Sequence, residues 1–517
     1  MCIRDRDKLS APDAARKAMQ EVTGPVVATT LVLLAVFVPT AFLPGITGQL
    51  YLQFAVTISI AVILSSLVAL TLSPAMCGLL LRPSKEPRGP LRWFFTFLDT
   101  TRGGYFRLVA SLGRRAFIAV LVVLVAIVST GWLFRSVPTG FIPFEDNGYF
   151  FVDVALPDGA SLVRTEATVA QIADILAAEP EIADVLSVAG FSLLAGARSS
   201  GGLLIGVLDH WDERPDPSQS AGAVIARVQP QLLAIRGATA FAFPPPPVSG
   251  LGTAGGIEME LQDLGGRPPD DLARALQGFL VRANEHPAIA RAFTTFSAQT
   301  PQLFLNIDRQ KAETLGVPIN ELFTTLQANL GALYVNDFNL FGRTYSVFLQ
   351  AEAAFRMSPD DIPVLHVRNT SGEMVPLGAL LTVEPILGPE STRRFNLFRA
   401  ASVNVTPVGS TGDGIAALRE VEAAALPAGY AIDWTGTTFQ EVQAGGEAVV
   451  VLMLALLFVY LFLVAQYESW TIPISVILSV TIAGAGGLAV SWLVGLGKIV
   501  FSQLGRGMLS GRAGRTA

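Results

Sequence analysis

Cysteine and histidine are nearly missing from this chain: its 517 residues include two cysteines, Cys2 and Cys77, and three histidines, His210, His286 and His366. Two thiols so far apart build no disulfide framework. Three isolated imidazoles, none with a neighbouring ligand at metal spacing, supply no metal site and no constellation for catalysis, so neither a metal nor an enzymatic role is expected. Met259, Met357 and Met374 are too scattered to trace a soft-metal path. Gly250, Gly252 and Gly255 do spell G-x-G-x-x-G, but the motif follows the four prolines at 244–247 instead of a strand, which removes the context a dinucleotide needs. No cofactor and no nucleic-acid partner are expected.

Charge is also scarce. Asp, Glu, Lys and Arg make up 15% of the chain, and none of them occurs at 26–81, 116–134, 448–467 or 470–497. Proton exchange inside a membrane requires an ionisable group that can trade charge for neutrality, and these runs hold no acid or base. No proton relay is therefore expected in this chain. Residues 1–21 are charged and lack the apolar stretch of a cleavable signal, so insertion is expected to begin at the first apolar hairpin.

What is abundant is apolar sequence. Hydrophobic residues make up 51% of the chain and the mean hydropathy is +0.50. They collect into runs near the ~20 residues that cross a bilayer. Residues 26–81 form a hairpin of two spans around the turn-like Pro44-Gly45-Ile46-Thr47-Gly48, residues 116–134 a third span, and 448–497 a second hairpin turning at Glu468-Ser469. Five transmembrane helices are expected, with Pro39, Pro74 and Pro473 kinking theirs.

Residues 82–115 carry eight basic and two acidic groups, and the first 25 residues carry five basic ones. The positive-inside rule places both in the cytoplasm, as a connection over 1–25 and a basic loop over 82–115. The soluble lobe between spans three and four then faces the opposite compartment. It holds 34 acids against 18 basic residues over 136–446, a balance that serves solubility or the attraction of cationic substrates.

Within the lobe, alternating and helical spacing give β-α-β-β-α-β over 149–243, a two-layer sandwich with helices on one face. A second unit of two β-α-β halves is split by an insertion over about 300–390, in which 333–350 reads as a hairpin with its tip at Phe341-Gly342. The fold class is an α/β membrane protein: transmembrane α-helices plus a lobe of ferredoxin-like sandwiches with an inserted subdomain. The glycine-rich connection 189–202 reads as a flexible loop over an apolar cleft.

The runs AVFVPTAFLPGITGQLYLQFAVTISIAVILSSLVALTLSPAMC, VPTGFIPFEDNGYFFVDVALPDGASL, YVNDFNLFGR, DWTGTTFQE and LVAQYESWTIPISV resemble, in order, the AcrB-type permeases of the resistance-nodulation-division (RND) efflux transporters. The resemblance implies porter subdomains at 145–252 and at 257–294 with 391–443, a docking subdomain at 295–390, and spans five to nine of twelve. It implies an inner-membrane, proton-driven homotrimer with its lobe in the periplasm, exporting amphiphilic compounds with a periplasmic adaptor and an outer-membrane channel. Site residues follow by the same resemblance. Phe191, Phe241 and Phe243 match pocket-lining phenylalanines, and Leu186, Leu193 and Ile205 stand where aromatics are usual. Gly190, Gly196, Gly201 and Gly202 match a switch loop, and Asn336, Phe338, Phe341 and Gly342 the docking hairpin. At strand spacing, Phe241 and Phe243 equally suit a core role.

In the family the acidic pair of the proton relay belongs to the fourth span and its basic partner to the tenth. Residues 1–7 and 498–517 depart from the family pattern, and the second of these would leave the membrane with four basic groups on the wrong side. The expectation is a middle fragment with non-native ends, inactive alone. The competing readings are a half-size scaffold or regulatory protein that pairs with a separate half, and, less favoured, a metal or lipid exporter of the same superfamily.

Overall fold

The computed structural model describes residues 9–42, 45–80, 90–137, 140, 142 and 145–494. The expected non-native ends, and part of the basic loop, lie outside the described residues. Helix α1 (Ala11–Thr40) is capped by Ser10, whose hydroxyl accepts from the Asp13 N–H. Helices α2 (Gly45–Leu70) and α3 (Leu72–Leu80) form one apolar run broken at Thr71. Pro74 has no N–H to give Leu70 O, four residues back, and Thr71 Oγ1 donates to Leu67 O at 2.6 Å, a carbonyl that also accepts from Thr71 N.

The basic loop is for the most part not a loop. Residues 90–114 form helix α4 (Pro90–Arg114), which runs to within one residue of α5 (Ala116–Ser136). Its aromatic residues at mixed spacing hide the helical period that structure makes plain. Among the described residues three helical stretches are long and apolar enough to cross a membrane: Ala11–Thr40, Gly48–Leu80 and Ile472–Val494. Val120–Ser136 and Met453–Tyr467 are shorter apolar stretches.

The lobe contains two sheets of one topology. In the first unit the order is β1 (Tyr149–Ala155), α6 (Leu162–Ala177), β2 (Ile182–Ser192), β3 (Gly196–Leu208), α7 (Ala221–Leu233) and β4 (Thr239–Phe243). The strands lie β2-β3-β1-β4, all antiparallel. Phe150, Val152 and Val154 of β1 meet Val169, Ile172 and Leu176 of α6 and Val224, Val228 and Leu232 of α7. Each such fully buried side chain contributes about 1.5–3 kcal/mol.

The second unit repeats the plan. Strand β5 (Ile257–Asp263), helix α8 (Pro269–Glu285) and β6 (Ile289–Thr294) form one half. The insertion follows, with β7 (Thr300–Ile307), α9 (Arg309–Thr314), α10 (Ile319–Leu330), the hairpin β8 (Leu333–Leu340) and β9 (Arg343–Leu349), β10 (His366–Arg368), β11 (Met374–Pro376) and β12 (Leu381–Gly388). After β13 (Arg394–Phe395), the other half is β14 (Phe398–Pro407), α11 (Thr411–Ala425) and β15 (Tyr430–Trp434). Strand β14 pairs with β5 and β6, and β15 pairs with β5, so the order matches that of the first unit. Ile257, Met259 and Leu261 pack on Leu272, Leu276 and Phe279 of α8. The insertion has its own core around Leu322 and Leu377 and is closed by the β7–β12 pair.

From β15 the chain enters helix α12 (Gly436–Tyr467), turns at Glu468 with φ 51°, and returns as α13 (Ile472–Val494). Pro473 falls in the first turn of α13, where its missing N–H has no partner to lose, so it makes no kink. Val32, Leu463 and Val476 join α1, α12 and α13, while Leu133 and Val137 meet Leu488.

The glycine motif at 250–255 has a structural use. Thr253 N, Thr253 Oγ1 and Ala254 N all donate to the Glu258 carboxylate, at 2.6, 2.9 and 2.8 Å. Glu258 N in turn donates to Thr438 Oγ1 at 3.0 Å, and Thr435 N donates to Glu258 O. The loop is a nest for an internal carboxylate at the point where α12 leaves the sheet.

Candidate functional site

In each unit the helices cover one sheet face and leave the other free of helix, although Phe243 in the first unit and Glu260 in the second are buried on that side. On the first sheet this open face is apolar. The alternation of β1 sends Phe150, Val152 and Val154 toward the helices and Tyr149, Phe151 and Asp153 to the open side. Antiparallel register then aligns side chains across strands. Leu186 lies opposite Ile205, Ile205 opposite Phe151, and Phe151 opposite Phe243. The rings of Phe151 and Phe243 are 6.0 Å apart, and Tyr149 meets Phe151 edge-on at 5.6 Å. Three of the six expected pocket residues thus form one row. Phe151, not singled out in the sequence, completes it.

Phe241 shares this face but is engaged. It stacks on Phe293 of β6 at 4.8 Å, with the Arg291 guanidinium 3.8 Å from its ring centre. Burial lowers the Arg291 pKa. Phe241 and Phe293 also line an open cleft of ≈540 Å³ between β4 and α8, bounded by Gln277, Leu280 and Val281. Phe191 and Leu193 fall outside the row, Phe191 beyond a register shift in β2 and Leu193 in the turn that follows.

The glycine-rich connection is not the flexible loop expected from its composition. Strands β2 and β3 pair as far as Ser192 opposite Gly196, leaving a three-residue turn, Leu193-Leu194-Ala195. Gly190 takes positive φ at the register shift within β2 and Gly196 at the start of β3, while Gly201 and Gly202 lie further along β3. A Cβ on Gly202 would lie 2.5 Å from Val169 Cγ2, so glycine there lets α6 close on the sheet. The turn is pinned by Asp153, which accepts from Ser192 Oγ at 2.8 Å and Leu193 N at 2.9 Å. Asp153 is 2% exposed, and this burial raises its pKa despite those bonds. On the other side, Arg198 bonds Asp158 at 2.7 Å and approaches Glu390 at 3.5 Å, while Thr300 Oγ1 donates to Asp158. The hairpin is therefore tied to the base of the insertion.

The second open face is polar. Glu260 lies opposite both Ser402 and Asp433, accepts from Ser402 Oγ at 2.6 Å, and has its pKa raised by burial. The hairpin β8–β9 pairs with no other strand among the described residues. Its tip turns on Phe341 (φ 52°) and Gly342 (φ 74°), a two-residue turn with both φ positive. Phe341 is 90% exposed. Asn336 adjoins a register shift, and Phe338 stacks on Tyr345 at 5.4 Å.

A profile of the AcrB/AcrD/AcrF family matches residues 2–517. The multidrug/solvent efflux pump membrane transporter MepB of Pseudomonas putida is 36% identical over 525 residues, covering 100% of this chain and 50% of the relative. The multidrug export protein AcrF of Escherichia coli K12 is 36% identical over 513 residues, covering 96% and 49% respectively. The multidrug resistance protein MdtF of the same organism is 34% identical over 508 residues, covering 96% and 49%. The chain spans about half the length of the curated relatives it matches.

Proposed function

Since the chain belongs to the AcrB/AcrD/AcrF family, we propose that it forms part of the inner-membrane subunit of a proton-driven efflux pump for amphiphilic compounds. The observation that carries this reading is the Leu186–Ile205–Phe151–Phe243 row, an apolar strip on the helix-free face of its sheet that runs from an exposed Leu186 to a buried Phe243. Such a strip gains by covering apolar ligand surface and makes no demand on ligand polarity.

In this reading the chain crosses the membrane five times, with its lobe in the periplasm. Residues 145–252 and 257–294 with 391–443 are the porter units, and 295–390 the docking unit. The exposed hairpin tip inserts into a neighbouring copy of a homotrimer. An isolated two-stranded hairpin is marginal in water, which supports a partner at that place. The adaptor and outer-membrane channel would join the lobe. Proton coupling is assigned to the part of the relatives' length that this chain does not span, since its apolar runs contain no acid or base.

The test replaces the matching half of AcrF with this chain in a pump-deleted strain and follows accumulation of a fluorescent amphiphile. The chimera is expected to lower accumulation, and Phe151→Ala with Phe243→Ala to restore it. A chimera inserted at normal levels that exports nothing, or exports equally well with both substitutions, overturns the reading.

A further inference from the structure

Three buried side-chain atoms among the described residues have no hydrogen-bond partner: Glu260 Oε2, Arg267 Nη1 and Arg399 Nε. A buried polar group in a native fold almost always meets a partner. Glu260 can do without one, since burial raises its pKa and a protonated carboxyl carries no charge to compensate. An arginine has no such recourse, because a guanidinium keeps its proton at any ordinary pH. The two arginine donors therefore point to an acceptor from outside the chain.

These arginines are neighbours. Arg399 of β14 lies opposite Asp263 of β5, which lies opposite Tyr430 of β15. Arg267 follows in the loop from β5 to α8, its guanidinium 4.8 Å from the Tyr430 ring centre and donating to Ala428 O at 2.9 Å. Gly429 (φ 92°) makes room for it, since a Cβ there would lie 2.8 Å from Arg267 Nη2. Arg399 Nη1 donates to Arg267 O, which ties the second guanidinium to the same loop.

Charge at this corner is unbalanced. Asp263 is 1% exposed, and its oxygens accept from Gly265 N at 3.0 Å and Arg267 N at 2.5 Å. Arg267 Nη1 stays 3.9 Å from it, beyond hydrogen-bond reach. Arg399 forms no ion pair among the described residues, and Asp271 in the first turn of α8 pairs with Arg274 instead. Two cations thus share one buried anion. Both arginines are only partly buried, so an ion can reach them from solution. Tyr430 stands at the end of β15 away from α12, about 13 Å along the strand from Trp434, which favours a dissolved ion over a lipid headgroup.

We propose that Arg267 and Arg399 form a binding site for a small dissolved oxyanion, chemically a phosphate or a carboxylate. The planar guanidinium presents N–H groups in a fork that matches two oxygens of such an ion. Arg267 Nη1 and Arg399 Nε supply the donors that the fold leaves unused, and the second positive charge supplies the attraction. The assignment rests on the second unit's fold and not on transport, so a chimera that fails to export leaves it standing.

The test dialyses the full chain in detergent against radiolabelled inorganic phosphate and, separately, acetate, in chloride buffer of constant ionic strength. The parent chain is expected to retain one ion per chain. Arg267→Met and Arg399→Met should each weaken retention by about tenfold or more, the worth of one charge-assisted hydrogen bond. Arg368→Gln, at an exposed end of β10, should leave it unchanged. Arg399→Lys keeps the charge but loses the Nε–H, so it too should bind more weakly than the parent. A parent chain that retains neither ion overturns the proposal whatever the variants do, because water alone then meets these donors. Retention by Arg399→Lys equal to the parent's, or an equal loss in Arg368→Gln, also overturns it, since net charge would then account for the binding. Circular dichroism of each variant checks its fold, and should the methionine variants unfold, the parent and the lysine variant still decide.

Discussion

Thr253 N lies 2.6 Å from the carboxylate of Glu258, the shortest of three donations that the glycine loop makes to that group. Glu258→Ala would strand these donors beside the first turn of α12. Hydrogen bonds to a charged group are worth about 1.5–3 kcal/mol each, and their orphaned donors cost a similar amount. A loss on the order of 3 kcal/mol is expected in denaturant unfolding of the lobe. Gly252→Ala should approach it, because its Cβ would sit 2.6 Å from Glu258 Oε2. Wild-type midpoints in both variants would show that the nest holds nothing.

Arg214 bonds both oxygens of Asp146, at 2.5 and 2.8 Å, and Ala221 N at the start of α7 donates to the same carboxylate. The side-chain bond from Arg214 holds the Asp146 pKa far below the usual carboxylate range. Removing one partner of such a pair leaves a charge without compensation, at about 3–5 kcal/mol. Arg214→Met should unfold the first unit earlier by that amount, and replacing both residues should cost less than the sum of the two changes. Additive losses in the double-mutant cycle would refute the coupling.

Glu441 lies in α12 ahead of its apolar run and accepts from Thr411 Oγ1 at 2.9 Å. Burial pushes its pKa from 4.5 up to about 7. The folded state then binds a proton that the unfolded state has released between these values. Stability from this group is complete below about pH 4.5 and is lost as pH rises through 7. The shift corresponds to roughly 3 kcal/mol. Glu441→Gln should flatten the pH dependence and stabilise the protein at pH 8 by an amount of that order. An unchanged stability profile from pH 5 to 8 would contradict the assignment.

Phe341 occupies a left-handed conformation that costs a bulky residue about 1 kcal/mol or more. Phe341→Gly should raise amide protection within β8 and β9, while removing the apolar tip proposed to enter a neighbouring copy. Cross-linking between copies should then fall even though the hairpin is firmer. If protection drops, the native turn is not strained.

Asp153 is the single side chain of β1 that holds the glycine-rich turn. Asp153→Leu should expose the Leu193 amide to exchange at least tenfold faster, since that donor loses its acceptor. Asp153→Asn, which keeps an acceptor oxygen, should retain most of the protection. Equal exchange in all three proteins would release the turn from this role.

The periodicities that gave the lobe its strands and helices were readable because they are local. Ser161 before an apolar i, i+3, i+7 series marks α6 without any knowledge of its neighbours, and the repeat of β-α-β halves around an insertion follows in the same way. The connection at 189–202 reads as a loop because four of its fourteen residues are glycine, while its actual state depends on Asp153, forty residues before Leu193. The loop expected at 82–115 failed for a different reason: its aromatic residues obscure the period, and only the continuous backbone into α5 shows a helix.

Where this chain is apolar enough for a bilayer, where it alternates as strands and which family it belongs to can all be read from residue order, because each is a property of that order. Which residues meet is a matter of packing. Phe151 joins Ile205 and Phe243 only because β1 runs antiparallel between β3 and β4 in one register, and a slip of one residue would turn Phe151 to the other face. The same holds for the glycine motif, whose partner Glu258 is named by hydrogen bonds and not by spacing. Register and long-range pairing are set by packing among distant segments, so no local pattern contains them.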